Sequence, residues 1–273
     1  MPTIKSLLDN AVSQAETARL DAEILLAHCL QKPRSFLYTW PERKLAEGIT
    51  ADFLALLQQR ASGVPVAYLT GHREFWSLDL TVDARTLIPR AETETLVTRA
   101  LTLSLPYNAR VADWGTGSGA IALALQSERP AWYVLASDKS AGALAVAAQN
   151  ARRHRFPMPM MLSQWGAAFA SNSLDLIVSN PPYVAPNDPH LQQGDLRFEP
   201  ASALVAEQQG LADIYSIAAD AGRVLKSGGW LLLEHGYNQA TPVQEYLSAM
   251  GFVDVESWPD LAGVQRVSGG RLA

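Results

Sequence analysis

Apolar positions change their spacing three times along the chain, and each change predicts a different kind of element. Over residues 1–72 the spacing is helical. Leu20, Ile24 and Ala27 fall on one face behind Thr17 as N-cap, and Phe53, Leu56, Leu57 and Arg60 form a second stripe behind Thr50. Pro33, Pro41 and Gly48 interrupt the stretch between them. This predicts a small helical domain. From Phe75 the spacing becomes alternation, Phe75, Ser77, Asp79 and Thr81 opposing Trp76, Leu78, Leu80 and Val82. A turn at Asp83-Ala84-Arg85 then leads to Thr86-Leu87-Ile88, so residues 73–88 read as a β-hairpin linker.

From residue 89 to 273 strand and helix patterns take turns. Strand-like runs at 110–113, 133–137, 174–179 and 230–234 are separated by helical stretches at 92–103, 120–128, 141–152 and 211–225. Such alternation implies an α/β domain with a mostly parallel sheet and helices on both faces. The last runs, 252–257 and 264–267, are too close for a crossover helix, which predicts an antiparallel C-terminal strand.

Composition narrows the classes. The 273 residues carry 22 Lys+Arg against 27 Asp+Glu, a net charge of −5, which argues against a stable nucleic-acid partner. The cluster Arg152, Arg153, His154, Arg155 reads as a helix end favoured by the macrodipole. One cysteine, Cys29, excludes an intrachain disulfide or a Cys-based zinc site, and the scattered histidines predict no metal. The chain has no apolar run of membrane-spanning length and begins without a signal-peptide pattern, so a soluble, cytoplasmic protein is expected.

Two motifs carry chemistry. Asp113-Trp114-Gly115-Thr116-Gly117-Ser118-Gly119-Ala120 follows the first predicted strand of the sheet and opens a helix. Glycines there allow a sharp turn and close backbone approach to a ligand. Asp138 ends the second strand, where a carboxylate accepts from ribose hydroxyls. Nucleotide cofactors and S-adenosylmethionine both fit, so this half of the site predicts only a nucleoside-containing ligand.

Asn180-Pro181-Pro182-Tyr183 follows the strand-like run 174–179, at the carboxyl edge of the sheet. Its prolines lack N–H donors, which leaves carbonyls, the Asn180 amide oxygen and the Tyr183 ring to receive a planar NH2 group. That suits methylation of an amide or aromatic amine, whose delocalised nitrogen needs acceptors on its N–H bonds and a fixed approach. Asn180, Pro181 and Tyr183 are the catalytic candidates.

Together these motifs resemble an S-adenosylmethionine-dependent class I methyltransferase with a Rossmann-like fold. Leu87-Ile88-Pro89-Arg90-Ala91-Glu92-Thr93-Glu94 and the segment from His190 to Pro200 resemble the protein-(glutamine-N5) methyltransferases of the HemK/PrmC type. The likeness covers nearly the whole chain. It implies methyl transfer to the glutamine of the Gly-Gly-Gln motif of class I peptide-chain release factors, by a monomer. It also implies that Gly115, Thr116, Gly117, Ser118 and Gly119 hold the methionine part of the cofactor and Asp138 its ribose, with Gln164 and Trp165 beside the adenine. Asn180, Pro181, Pro182 and Tyr183 would grip the glutamine amide, with Asn180 also touching the cofactor, and Arg90, Phe198 and Glu199 would shape the substrate side. Gln164 stands where the family usually has Asp, and Ala91 where it has Pro. The alternative left open is an N-methyltransferase acting on an exocyclic amino group of a nucleic-acid base.

Overall fold

The computed structural model describes residues 1–14 and 19–273, so the cap expected at Thr17 lies outside the described residues. The described chain divides into two compact units. One comprises Met1–His72 with Gln192–Phe198, the other Arg73–Leu191 with Glu199–Ala273.

The first unit is helical: α1 (Ile4–Gln14), α2 (Arg19–Leu30), α3 (Ser35–Thr39), α4 (Glu47–Ala61) and α5 (Val66–Thr70). Ile4, Leu8, Leu25, Leu26 and Phe53 are almost completely buried and form its core. Of the face expected on α2, Ala27 is buried and Ile24 half-buried but Leu20 is exposed, and Ala22, Leu25 and Leu26 are buried as well. Glu23 is buried on that side, where it accepts from Arg19 and Arg34 and is held down to a pKa of about 2, its hydrogen bonds outweighing burial. On α4 the helix starts before the expected cap, at Glu47, and the Thr50 hydroxyl donates back to the Ala46 carbonyl. The detached piece Gln192–Phe198 is anchored by Asp195, whose carboxylate pairs with Arg60 at 3.1 Å.

The second unit opens with a hairpin, β1 (His72–Phe75) and β2 (Leu78–Thr81). Its turn is Trp76-Ser77, both at positive φ (+53° and +60°), rather than the expected Asp83-Ala84-Arg85. The alternation from Phe75 to Val82 runs through this turn, and 86–88 form no strand. Phe75 and Leu80 are buried in the sheet unit's core, and the fully buried Asn150 binds both the N–H and the carbonyl of Thr81. The hairpin is thus packed into this unit.

The main sheet holds β3 (Arg110–Trp114), β4 (Tyr133–Asp138), β5 (Met160–Leu162), β6 (Leu174–Ser179), β7 (Leu225–Glu234), β8 (Phe252–Pro259) and β9 (Gln265–Leu272), in the order β5-β4-β3-β6-β7-β9-β8. The strands β5, β4, β3, β6 and β7 run parallel, and β9 runs antiparallel to both β7 and β8. Helices α6 (Glu94–Thr102) and α7 (Ala120–Glu128) pack with the hairpin in one core, while Ala212–Val224 and Ala240–Ala249 pack in the other. A further helix, α8 (Ala141–His154), follows β4. This is the mostly parallel, Rossmann-like sheet with an antiparallel strand near its C-terminus. Strand succession reverses direction between β3 and β6, and an open α/β sheet binds its ligand in the crevice at that reversal.

Candidate active site

The two motifs flank the reversal, the glycine loop leaving β3 and Asn180-Pro181-Pro182-Tyr183 leaving β6. One cavity at this edge is lined by Gly115, Thr116, Gly117, Ser118, Asp138, Gln164, Trp165, Asn180 and Pro182. Folding therefore brings together most of the residues singled out in the sequence. Gly119, Pro181, Tyr183, Arg90, Phe198 and Glu199 do not contribute to the lining.

The glycine loop is held through its backbone. Gly115 and Thr116 N–H both donate to the Ser137 carbonyl, at 2.8 and 2.9 Å. Beneath it, the completely buried Asp113 accepts from the Thr116 hydroxyl and from Ala122 N–H. Burial pushes the Asp113 carboxyl up to about 7 against those two bonds. Asp138 accepts from Gly117 N–H (3.0 Å) and Ser140 N–H (2.8 Å), so the carboxylate expected on the ribose also fixes the loop. Gly115 has φ +75°, and a Cβ there would press to 3.2 Å on the Trp165 ring, so side chains are doubly excluded. Asn150 reaches this loop as well, donating to the Ser118 carbonyl.

The second loop is held by side chains. Asn180 Nδ2 donates to Thr93 Oγ1 at 3.2 Å, while its Oδ1 is buried with no hydrogen-bond partner. Tyr183 Oη donates to Glu234 Oε1 at 3.2 Å, and the Tyr183 carbonyl accepts from Gln239 Nε2 at 3.1 Å. Gln208, Gln209 and Gly210 turn through positive φ beside it, and a Cβ on Gly210 would fall 2.1 Å from the Tyr183 oxygen. Glycine is required at that approach. Glu234, fully buried at the end of β7, is pushed up to about 7 by burial, against hydrogen bonds from Thr93 and Tyr183 and the charge of Arg266.

Arg90 and Glu199 pair with each other, and Glu199 also accepts from Ile88 N–H. With its side chain wholly buried, Glu199 ties the segment that supplies Pro200, Ser202 and Ala203 to the one that supplies Leu87 and Pro89. Those five residues line the cavity. Phe198 falls with the helical unit. Sequence reasoning missed Thr93, Glu234, Gln239 and Asn150. Only Thr93 stood inside a motif, the segment Leu87 to Glu94.

The donor set suits S-adenosylmethionine. A glycine-rich loop meets an aromatic wall at Trp165, a carboxylate stands at the end of the second sheet strand, and Asn180, whose buried amide oxygen has no partner, lines the same cavity.

Comparison with known proteins agrees. Residues 7–71 match the PrmC N-terminal domain and residues 93–212 the methyltransferase small domain. The release factor glutamine methyltransferase of Xylella fastidiosa (strain Temecula1) is 50% identical over 273 residues, covering 99% of this chain and 98% of that protein. That of Escherichia coli (strain K12) is 45% identical over 268 residues, covering 97% of each. The chain belongs to the release factor glutamine methyltransferase family. It is an S-adenosylmethionine-dependent methyltransferase of class I fold. Solved structures share that fold at low identity. The hMettl16 catalytic domain in complex with MAT2A 3'UTR hairpin 1 has a TM-score of 0.60 at 16% identity, covering 91% of each chain. A methyltransferase from Pyrococcus furiosus has a TM-score of 0.53 at 17% identity, covering 81% of this chain and 98% of that one.

Proposed function

We propose that this methyltransferase methylates the side-chain amide nitrogen of the glutamine in the Gly-Gly-Gln motif of class I peptide-chain release factors. The observation that carries the reading is the Asn180 amide oxygen, buried without a partner at the cavity and aimed by the bond its nitrogen makes to Thr93. A buried acceptor of this kind costs about 1–3 kcal/mol until a donor arrives, and a primary amide brings two N–H donors.

The cofactor, when bound, supplies an electrophilic methyl group on its sulfonium. The protein's residues deal with the poor nucleophile. An amide lone pair is delocalised into the carbonyl, as in the peptide bond, and becomes available only as the C–N bond loses double-bond character. Asn180 Oδ1 and the proline-rich backbone carbonyls accept the two N–H bonds and draw electron density onto nitrogen. Pro181 and Pro182, both buried, fix the backbone that carries those acceptors. Tyr183, held by Glu234 and Gln239, offers a rigid flank to the planar group. Catalysis then rests on orientation and preset dipoles. The methylated amide is strongly acidic while it still carries its extra proton, so loss to water suffices.

Gly115 to Gly119, Asp138, Gln164 and Trp165 are assigned to the cofactor, and Asn180 to Tyr183 to the substrate amide. Arg90 and Glu199 shape the substrate side indirectly, through the segments they tie together. The helical unit contributes none of the cavity lining and is assigned, with Phe198, to recognition of the release factor body. The same reading has the chain acting as a cytoplasmic monomer without stably bound nucleic acid. No helix among the described residues is long and apolar enough to cross a membrane.

The deciding experiment is mass spectrometry of a release factor incubated with the protein and S-adenosylmethionine. One added methyl on the Gly-Gly-Gln glutamine is expected. An unmodified factor, with methyl transfer instead to base amino groups of an RNA or DNA oligonucleotide, would replace this reading by the nucleic-acid alternative.

A further inference from the structure

An asparagine side chain has two orientations of nearly identical shape, and only one presents oxygen to the cavity. In this protein Nδ2 donates to Thr93 Oγ1, which leaves Oδ1 buried without a partner on a residue that lines the cavity. Thr93 can receive that bond while its own hydrogen points elsewhere, since a hydroxyl has one donor and can accept as well. On its other side stands the carboxylate of Glu234, which the Thr93 hydroxyl approaches and helps to keep acidic. Glu234 Oε2 keeps no hydrogen-bond partner of its own. Tyr183 Oη donates to Glu234 Oε1 from the other end of the tetrapeptide. Both ends of Asn180-Pro181-Pro182-Tyr183 therefore lead to one carboxylate, Tyr183 directly across 51 residues of chain and Asn180 by way of Thr93, 87 residues away.

We infer that Glu234 is a positioning residue that acts through Thr93, setting the Asn180 amide with its oxygen toward the substrate and anchoring the Tyr183 ring at the same time. The inference rests on the assignment of Asn180 and Tyr183 to the substrate amide.

The device works by direction. An ionised carboxylate only accepts, so every hydroxyl and amide in the relay must donate toward it. Asn180 then gives its NH2 to Thr93 and its oxygen to the cavity. A protonated Glu234 carries a donor of its own, which can reverse the Thr93 hydroxyl and with it the preference of Asn180. The groups facing Glu234 are Thr93 and Glu92 from the turn before α6, Tyr183 from the tetrapeptide loop and Arg266 from β9, with Arg90 acting on Tyr183. Arg266 favours the ionised form, while burial and Glu92 oppose it, and the carboxyl is left at about 7. The one-way relay is thus complete above neutrality and lost below it.

The test is single-turnover methylation of an intact release factor across pH, with cofactor affinity measured alongside, for wild type, E234Q, T93V, T93S and N180A. Wild type should lose rate as pH falls through about 7, and this limb should vanish in E234Q. E234Q and T93V should each lose about tenfold or more in rate, the value of a hydrogen bond to a charged group, with cofactor affinity within about twofold. T93S, which keeps the hydroxyl, should recover most of the loss. Wild-type rates in both E234Q and T93V would overturn the inference, as would a limb that survives in E234Q. Should E234Q fail to fold, T93V against T93S decides alone. N180A separates the two layers: if it too turns over normally, the assignment of the tetrapeptide fails, whereas a crippled N180A beside normal E234Q and T93V removes only the relay.

Discussion

The glycine loop and the Asn-Pro-Pro-Tyr loop leave the ends of neighbouring strands, β3 and β6, and are built in opposite ways. The first is a backbone object. Its N–H groups are taken up by the Ser137 carbonyl and the Asp138 carboxylate, Asp113 supports it from beneath, and side chains are excluded at Gly115. The second is a side-chain object, with Asn180 on Thr93, Tyr183 on Glu234 and the Tyr183 carbonyl on Gln239. Holding a cofactor asks mainly for a shape that a local sequence can adopt by itself. Turning an amide into a nucleophile asks for acceptors aimed to a fraction of an ångström, and that aim is supplied by residues far away in the chain.

The comparison breaks most visibly at Asn180. Asn180→Ala removes the aimed acceptor, and the expected loss in turnover is about 10²–10³, typical of deleting a preorganised polar group at a reacting centre. Cofactor affinity should change little, since the backbone loop is untouched. Calorimetry beside single-turnover assays reads both, and a parallel loss of the two would show that the loops are not independent. Asp138→Ala attacks the other loop. Charge-assisted bonds to ribose are worth roughly 1.5–3 kcal/mol each, so S-adenosylmethionine binding should weaken tenfold or more. Gly117 N–H also loses its partner, which makes the loss exceed that of the ribose bonds alone. An unchanged dissociation constant would remove Asp138 from the cofactor site.

The smallest effect separates the supports beneath the loops by pH. Asp113 is raised from 3.8 to about 7, so between those values the unfolded chain has released a proton that the folded chain still holds. Stability therefore falls as pH rises through this window and levels off above 7; Glu234 adds a slope of the same sign. Asp113→Asn removes one of the two contributions, and urea midpoints measured between pH 4.5 and 7.5 should decline less steeply in the variant than in wild type. Identical slopes would mean that Asp113 does not retain its proton in the folded state.

The same contrast explains what could be read from the sequence. The glycine loop, Asp138 and the tetrapeptide are contiguous or placed at strand ends, so period and order located them. The crossing of strand and helix patterns also exposed the sheet. Thr93 and Glu234 are ordinary residues at the start of a helix and the end of a strand, and they acquire meaning only when β7 pairs beside β6 and Asn180 reaches Thr93. Asn150 is equally silent, a polar residue inside an apolar helix face until Thr81 and Ser118 arrive on it. The hairpin misled because its turn, Trp76-Ser77, contains none of the glycine or asparagine that positive φ favours. Glu94 and Glu74 accept the freed N–H groups of Trp76 and Ser77 and hold the strained pair. On α2 the buried carboxylate of Glu23, with its two arginines, sits on the inward side beside Leu25 and Leu26, where no apolar period announces it.

The segment Gln192–Phe198 belongs to the helical unit although the chain on either side of it belongs to the sheet unit. The backbone thus crosses between the units three times, after His72, after Leu191 and after Phe198. A gene for residues 1–72 encodes only part of its unit. It lacks the Asp195 that answers Arg60 and the Arg197 that closes on Gly63, where a Cβ would fall 2.3 Å from the guanidinium. Recombination between relatives at a single breakpoint would pair one parent's helices with the other's returning segment. Whatever the helical unit does can be transplanted intact only as two pieces, so its inheritance is tied to a stretch of sequence that lies just past Asn180-Pro181-Pro182-Tyr183.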